Sequence, residues 1–152
     1  MAPEEISFTI HDLRGLPMYD GDVEAAGDPD SVVALKNAVR SSDAVLFAAP
    51  EYNGGIPGTL KNAIDWASRG DGPLMGKPCA VIGGGGRLAT ARSQAMVRHV
   101  LGHMGCALLP SPHLYIAGIA KSFQDGELVD DAALAKLRQL GPALVDWVNR
   151  LR

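Results

Sequence analysis

Two nearly unbroken apolar runs constrain this chain more than any other feature. Asp43–Ala49 (DAVLFAA) and Cys79–Ile82 (CAVI) are too short for helices and fit strands covered on both faces. Each is followed by a Gly-rich break and then by helical periodicity. Leu60, Ala63, Ile64 and Ala67 recur at i, i+3, i+4, i+7, and so do Val97, Val100, Leu101 and Met104, with Gly105 as a stop. His113–Ala117 is a weaker strand candidate, and Ile6–Ile10 (ISFTI) alternates as a half-exposed strand does. Asp28-Pro29 resembles an N-cap with Pro at the first helical position, after which Val32, Leu35 and Val39 line one face. A last helix is expected over Asp131–Val148, with Pro142 as a kink or break. The segment Gly118–Val129 reads as a loop with an exposed Asp125-Gly126 turn. Strand and helix alternating in this way predict an α/β fold: one parallel sheet of about four strands with helices on both faces.

Composition narrows the function classes. The 152 residues make one domain, 1–152, with enough apolar content (47%) for one core. A net charge of −3 with scattered cations excludes a nucleic-acid footprint. Cys79 and Cys106 lie outside any CxxC or metal spacing and read as reduced, buried thiols. No apolar run reaches the roughly 18 residues of a membrane span, and MAPEEISF has no apolar signal core, so a cytoplasmic protein is expected. His99 and His103 have the i, i+4 spacing of a helical metal pair without a third ligand, and no metal site is assigned. No nucleophile–base constellation stands out, so no catalytic side chain is assigned either.

In open α/β sheets, ligands bind beyond the carboxyl ends of the strands. Two loops are expected there: Pro50–Gly58 and Gly83–Arg87 (GGGGR). The first offers glycines for close backbone approach, an amide at Asn53 and a flat apolar face at Tyr52. That set suits a planar heterocycle better than a phosphate; the competing reading is a plain strand-to-helix turn. The second is either a phosphate nest or a flexible turn, with Arg87 beside it. Trp66 falls with Thr59, Asn62 and Arg69 on the face opposite the apolar stripe of its helix. It is covered by its own chain or anchors a subunit interface, and the interface is the favoured expectation.

The stretches PEYNGGIPGTLKNAIDWASR (Pro50–Arg69), GPLMGKPCAVIGGGGR (Gly72–Arg87) and ARSQAMVRHVL (Ala91–Leu101) resemble the NADPH-dependent FMN reductase family of the flavodoxin-like superfamily. HDLRGLPMYDGDVE (His11–Glu24) fits the acid-rich excursion the family has after its second strand, and the likeness fades after about Gly118. The resemblance implies a flavodoxin-like doubly wound sheet. It also implies an NAD(P)H oxidoreductase that passes electrons through FMN to a small acceptor such as a flavin, quinone, azo dye or metal oxyanion. Its rivals are a non-catalytic FMN carrier and a flavin-free chain acting through a partner surface. Pro50, Glu51, Tyr52, Asn53 and Gly54 would contact the flavin ring, with Gly84, Gly85 and Arg87 on the other side. Family members are commonly homodimers or homotetramers, which makes Trp66 a candidate contact.

Two departures from the family follow. It usually has two glycines where this chain has Ala89-Thr90. It also opens with a first strand, a phosphate-binding turn and a first helix, whereas here Ala2–Glu5 resembles the end of that helix and leads into the second strand. The fold is therefore expected to be N-terminally incomplete. In the order 2-1-3-4-5 the first strand is central. Each unpaired buried backbone group costs about 1–3 kcal/mol against a total stability of about 5–15 kcal/mol. Compensation would come from a shifted second strand, from another chain, or from a longer version of the protein.

Overall fold

The computed structural model describes residues 6–152; Ala2–Glu5, the expected helix end, lies outside them. Helices α1 (Gly21–Ala26) and α2 (Asp30–Ser41) precede strand β1 (Val45–Ala48). Helix α3 (Gly58–Ala67), β2 (Pro78–Gly85), α4 (Ala91–His103), β3 (Ala107–Leu108) and β4 (Leu114–Ala117) follow. The chain ends with α5 (Ile119–Ser122), β5 (Phe123–Gln124), β6 (Glu127–Leu128) and α6 (Asp131–Leu151). The first four strands form one parallel sheet with β2 at its centre. On one side β1 pairs Val45–Ala48 with Cys79–Ile82; the other side is filled in two pieces, β3 beside Pro78-Cys79 and β4 beside Ile82–Gly85. Between those pieces the guanidinium of Arg98 reaches the Val81 and Leu109 carbonyls at 3.3 and 3.4 Å.

Alternation along the strands builds two cores, as a sheet covered on both faces requires. Phe47, Cys79 and Val81 pack against Val32, Leu35 and Val39 of α2, Leu60 and Ile64 of α3, and Val97 and Leu101 of α4. On the opposite face Leu46, Ala80 and Ile82 meet Leu140, Leu144 and Trp147 of α6. The predicted apolar stripes of α2, α3 and α4 are thus the buried ones. Gly105, at φ +74°, terminates α4 as expected, and the Cys106 amide returns to the Leu101 carbonyl at 3.0 Å.

Several expectations are corrected. Residues 6–10 form no strand. Among the described residues no strand pairs with the outer edge of β1, and Phe8 and Ile10 of the unpaired segment are exposed. An alternating pattern cannot hold a strand without a ladder neighbour. Asp28 does not cap α2, whose N-cap is Pro29; its carboxylate pairs instead with the buried Lys36 ammonium at 2.5 Å. Pro142 sits inside α6 without ending it. Residues 118–129 hold α5 and the hairpin β5–β6, turned by Asp125-Gly126 with φ positive at both.

Trp66 is no interface anchor. It is fully buried beneath its own chain, in the segment that carries Leu13, Leu16 and Tyr19 onto the core. Tyr19 meets the indole edge-on at 5.0 Å, and the Arg69 guanidinium lies 4.8 Å over the Tyr19 ring. Asn62, also assigned to the polar face, is buried: it donates to the Pro17 carbonyl and accepts from the Tyr19 amide, both at 2.8 Å. The polar face of α3 is therefore a second buried face, satisfied by backbone from a loop far away in sequence.

Candidate functional site

Adjacent strands β1 and β2 bring the two expected loops together at their carboxyl ends, where the Ala49 amide donates to the Ile82 carbonyl at 2.8 Å. After Ala49 the chain makes a tight turn. Tyr52 and Gly55 exchange backbone hydrogen bonds of 3.0 and 3.3 Å, and the residues between them, Asn53 and Gly54, have φ of +52° and +76°. This is the geometry of a type I′ turn, for which Asn-Gly is the preferred pair. The turn projects Tyr52, 66% exposed, and the Asn53 amide toward solvent, while Pro50 stands exposed at its entrance. Gly54 rests against Arg92, whose Nη1 lies 3.2 Å from where a β-carbon would stand.

Glu51 points elsewhere. Its half-buried carboxylate accepts the backbone amides of Arg92 at 3.0 Å and Ser93 at 3.3 Å, and its other oxygen lies 3.6 Å from the Arg92 guanidinium.

The GGGGR stretch is not a loop as a whole. Gly83, Gly84 and Gly85 belong to β2 and pair with Tyr115, Ile116 and Ala117. Packing demands glycine here. A β-carbon on Gly83 would stand 2.1 Å from Thr90 Oγ1 and 2.6 Å from the Ala49 carbonyl oxygen. One on Gly84 would meet Ile119 Cδ1 at 2.5 Å, and one on Gly85 would meet Thr90 Cγ2 at 3.0 Å. Of this stretch, Gly86 and Arg87 lie beyond the strand, and both are exposed. The two positions where the family has glycines, Ala89 and Thr90, have φ of +48° and +60°, a region costing a side chain about 1–2 kcal/mol.

A hollow of about 320 Å³ opens at the same strand ends, on the α6 side of the sheet. Ala48, Pro50, Ile82, Gly84, Ile119 and Phe123 line it, and no charged side chain does. Such a surface takes an apolar or aromatic body and offers nothing to a phosphate.

The donor set fits the ring of a flavin. Outward main chain at a left-handed turn, an amide at Asn53 and a planar side chain at Tyr52 can read and stack on a flat heterocycle. The phosphate-binding turn with which the resemblance has the family open has no counterpart among the described residues. Sequence reading missed Arg92, which backs the turn, and Ile119, which closes on Gly84. It also missed that Glu51 faces a helix. Neither periodicity nor composition reports a contact across about forty residues. His99 and His103 are exposed on α4, and the described residues contain no group of three metal-ligating side chains.

Comparison with known proteins agrees with this geometry. Residues 1–121 match the family model described as NADPH-dependent FMN reductase. An NAD(P)H-dependent FMN reductase of Pseudomonas aeruginosa is 41% identical, over 100% of this chain and 84% of that protein. A 2-hydroxy-1,4-benzoquinone reductase of Burkholderia sp. is 40% identical, over 100% and 85%. Among solved structures, a flavoenzyme NAD(P)H:(acceptor) oxidoreductase from Paracoccus denitrificans superposes with a TM-score of 0.85 at 38% identity, over 95% of this chain and 81% of that one. The flavodoxin-like sheet, the turn after β1 and these likenesses agree: the chain belongs to the NADPH-dependent FMN reductase family.

Proposed function

We propose that the protein is an NAD(P)H oxidoreductase that reduces a quinone-like acceptor through FMN held beside the turn at Pro50–Gly54. When bound, FMN supplies the redox chemistry, taking a hydride equivalent from the nicotinamide and releasing it to the acceptor. The chain holds, orients and shields. The observation that carries this reading is the Asn53-Gly54 turn. Its backbone conformation presents main-chain polar groups and the Asn53 amide at the end of the sheet, in a chain of this family. Tyr52, with most of its surface free, offers a flat wall. On the second side, Gly84 and Gly85 contribute backbone only, and Arg87 stands exposed at the rim for an anionic group. No side-chain nucleophile or metal enters the scheme. A quinone fits the scheme because it is flat and apolar, and relatives named quinone reductases share 34–35% identity with this chain. Homodimeric or homotetrameric assembly and a cytoplasmic location belong to the same proposal, with Trp66 excluded from the contact; among the described residues no helix is long and apolar enough to cross a membrane.

Two measurements test it. Titration with FMN, followed by flavin fluorescence, is expected to show saturable binding near one per chain. NADPH consumption with 1,4-benzoquinone is then expected to require the flavin. Asn53→Gly keeps the left-handed turn but removes the amide, so it is expected to weaken FMN binding about tenfold with little change in melting temperature. A second reading, a flavin-free chain acting through a partner surface, is favoured by one observation: the outer edge of β1 meets no strand among the described residues. A protein that stays colourless in excess FMN supports that reading and ends the first.

A further inference from the structure

The first turn of α4 has an accounting problem that its own sequence does not solve. The amides opening a helix have no partner within it and are normally met by an N-cap side chain. The N-cap here is Thr90, but its left-handed backbone turns the residue away, and its side chain makes no capping hydrogen bond. The amides are satisfied one by one. Ala91 donates to the Leu88 carbonyl at 2.9 Å, and Gln94 donates to the Thr90 carbonyl at 2.9 Å. Arg92 and Ser93, the two between, donate to a single oxygen of Glu51 at 3.0 and 3.3 Å. The cap of α4 is therefore supplied from the loop after β1, about forty residues upstream.

The choice of residue fits the task. A carboxylate accepts two amides and carries the charge that a helix N-terminus attracts. The second oxygen faces the Arg92 guanidinium at 3.6 Å, which keeps the carboxylate between two sources of positive potential. Arg92 in turn packs against Gly54, so one side chain touches both the carboxylate before the turn and the glycine within it. Glu51 precedes Tyr52 and Asn53 directly. Its fixed orientation sets where the I′ turn stands relative to α4, and so relative to the Gly86–Arg87 segment that leads into that helix.

We infer that Glu51 is a positioning residue rather than a ring contact. It clamps the turn at residues 52–55 to the start of α4 and sets the spacing of the two walls between which the flavin ring is proposed to lie. The inference rests on the proposed flavin site for its functional half alone; the clamp itself stands on the geometry of the chain.

The experiment compares wild type, Glu51→Gln and Glu51→Ala. Amide hydrogen exchange at Arg92 and Ser93 is measured without FMN, and FMN affinity is measured by fluorescence titration. In Glu51→Ala both amides are expected to exchange about tenfold faster, the factor that accompanies loss of a helix cap, and FMN affinity to fall by a similar factor. Glu51→Gln, whose carbonyl oxygen still accepts an amide, is expected to be intermediate in both. Parallel loss and partial rescue in the two readouts support the clamp. Weakened FMN binding with unchanged exchange at Arg92 and Ser93 overturns it and makes Glu51 a direct ligand. Faster exchange with unchanged FMN affinity overturns the positioning role. Failure of the wild type to bind FMN overturns the functional reading, and the exchange measurement then decides the clamp by itself.

Discussion

The indole Nε1–H of Trp66 donates to the carbonyl oxygen of Pro17 at 2.8 Å, joining residues 49 positions apart. The same oxygen accepts the Asn62 amide, so one backbone carbonyl holds two buried side chains of α3 under the segment around Tyr19. Trp66→Phe keeps most of the ring and leaves the Pro17 carbonyl its Asn62 donor. It is expected to cost about 1 kcal/mol, the net value of one hydrogen bond. Trp66→Ala opens a cavity and is expected to cost about 3–5 kcal/mol. Urea denaturation measures both. Sedimentation of Trp66→Phe is expected to match wild type, because the side chain faces no partner.

Neighbouring glycines in β2 and just beyond it are expected to differ sharply. Gly83→Ala drives a methyl into Thr90 and the Ala49 carbonyl and is expected to cost at least the upper part of the usual overpacking range of about 1–3 kcal/mol. Gly86→Ala meets nothing within 4 Å at an ordinary φ and is expected to stay within about 0.5 kcal/mol of wild type. Thermal unfolding of the two variants checks the contrast.

Ala89 holds a φ of +48° that glycine adopts freely. Ala89→Gly relieves about 1–2 kcal/mol of strain and returns about 0.5–1 kcal/mol of chain entropy to the unfolded state. The net expectation is a gain of about 0.5–1 kcal/mol, seen as a melting temperature raised by about 2–3 °C.

Lys36 is buried in α2, and Asp28 is its carboxylate partner. Asp28→Asn leaves that ammonium without its counter-charge. Removing one member of such a pair costs about 3–5 kcal/mol, and the lower part is expected because Asp28 keeps some contact with water. Lys36→Met removes the charge that needs the partner and is expected to be within about 1 kcal/mol of wild type. Equilibrium unfolding in urea separates the two.

What was legible in the sequence was local. The strands β1 and β2 announced themselves as apolar runs and β4 as a weaker candidate, and the stripes Val32/Leu35/Val39 and Leu60/Ala63/Ile64/Ala67 marked the core because helical spacing alone decides which face is buried. The fold class followed from their order. Failures came where a distant segment decides. Trp66 and Asn62 look like a polar face until residues 13–19 fold over them. Gly83–Gly85 look like a loop because glycine reports no preference, and only Thr90 and Ile119 show that the gap is filled. Glu51 stands beside Tyr52 and Asn53, yet its carboxylate accepts the Arg92 and Ser93 amides of α4, a contact that its place in the sequence does not report. Residues 6–10 carry a sound strand pattern but pair with no strand among the described residues.

The run Gly83–Gly85 gives the molecule a fixed gauge at one end. There the sheet is a single thickness of peptide, with Thr90 seated on one side and Ile119 on the other. Whatever width separates those layers is set by bond lengths and van der Waals radii of the main chain, not by an adjustable side chain. A binding place built against that end of this chain inherits a dimension that substitution elsewhere in it leaves unchanged.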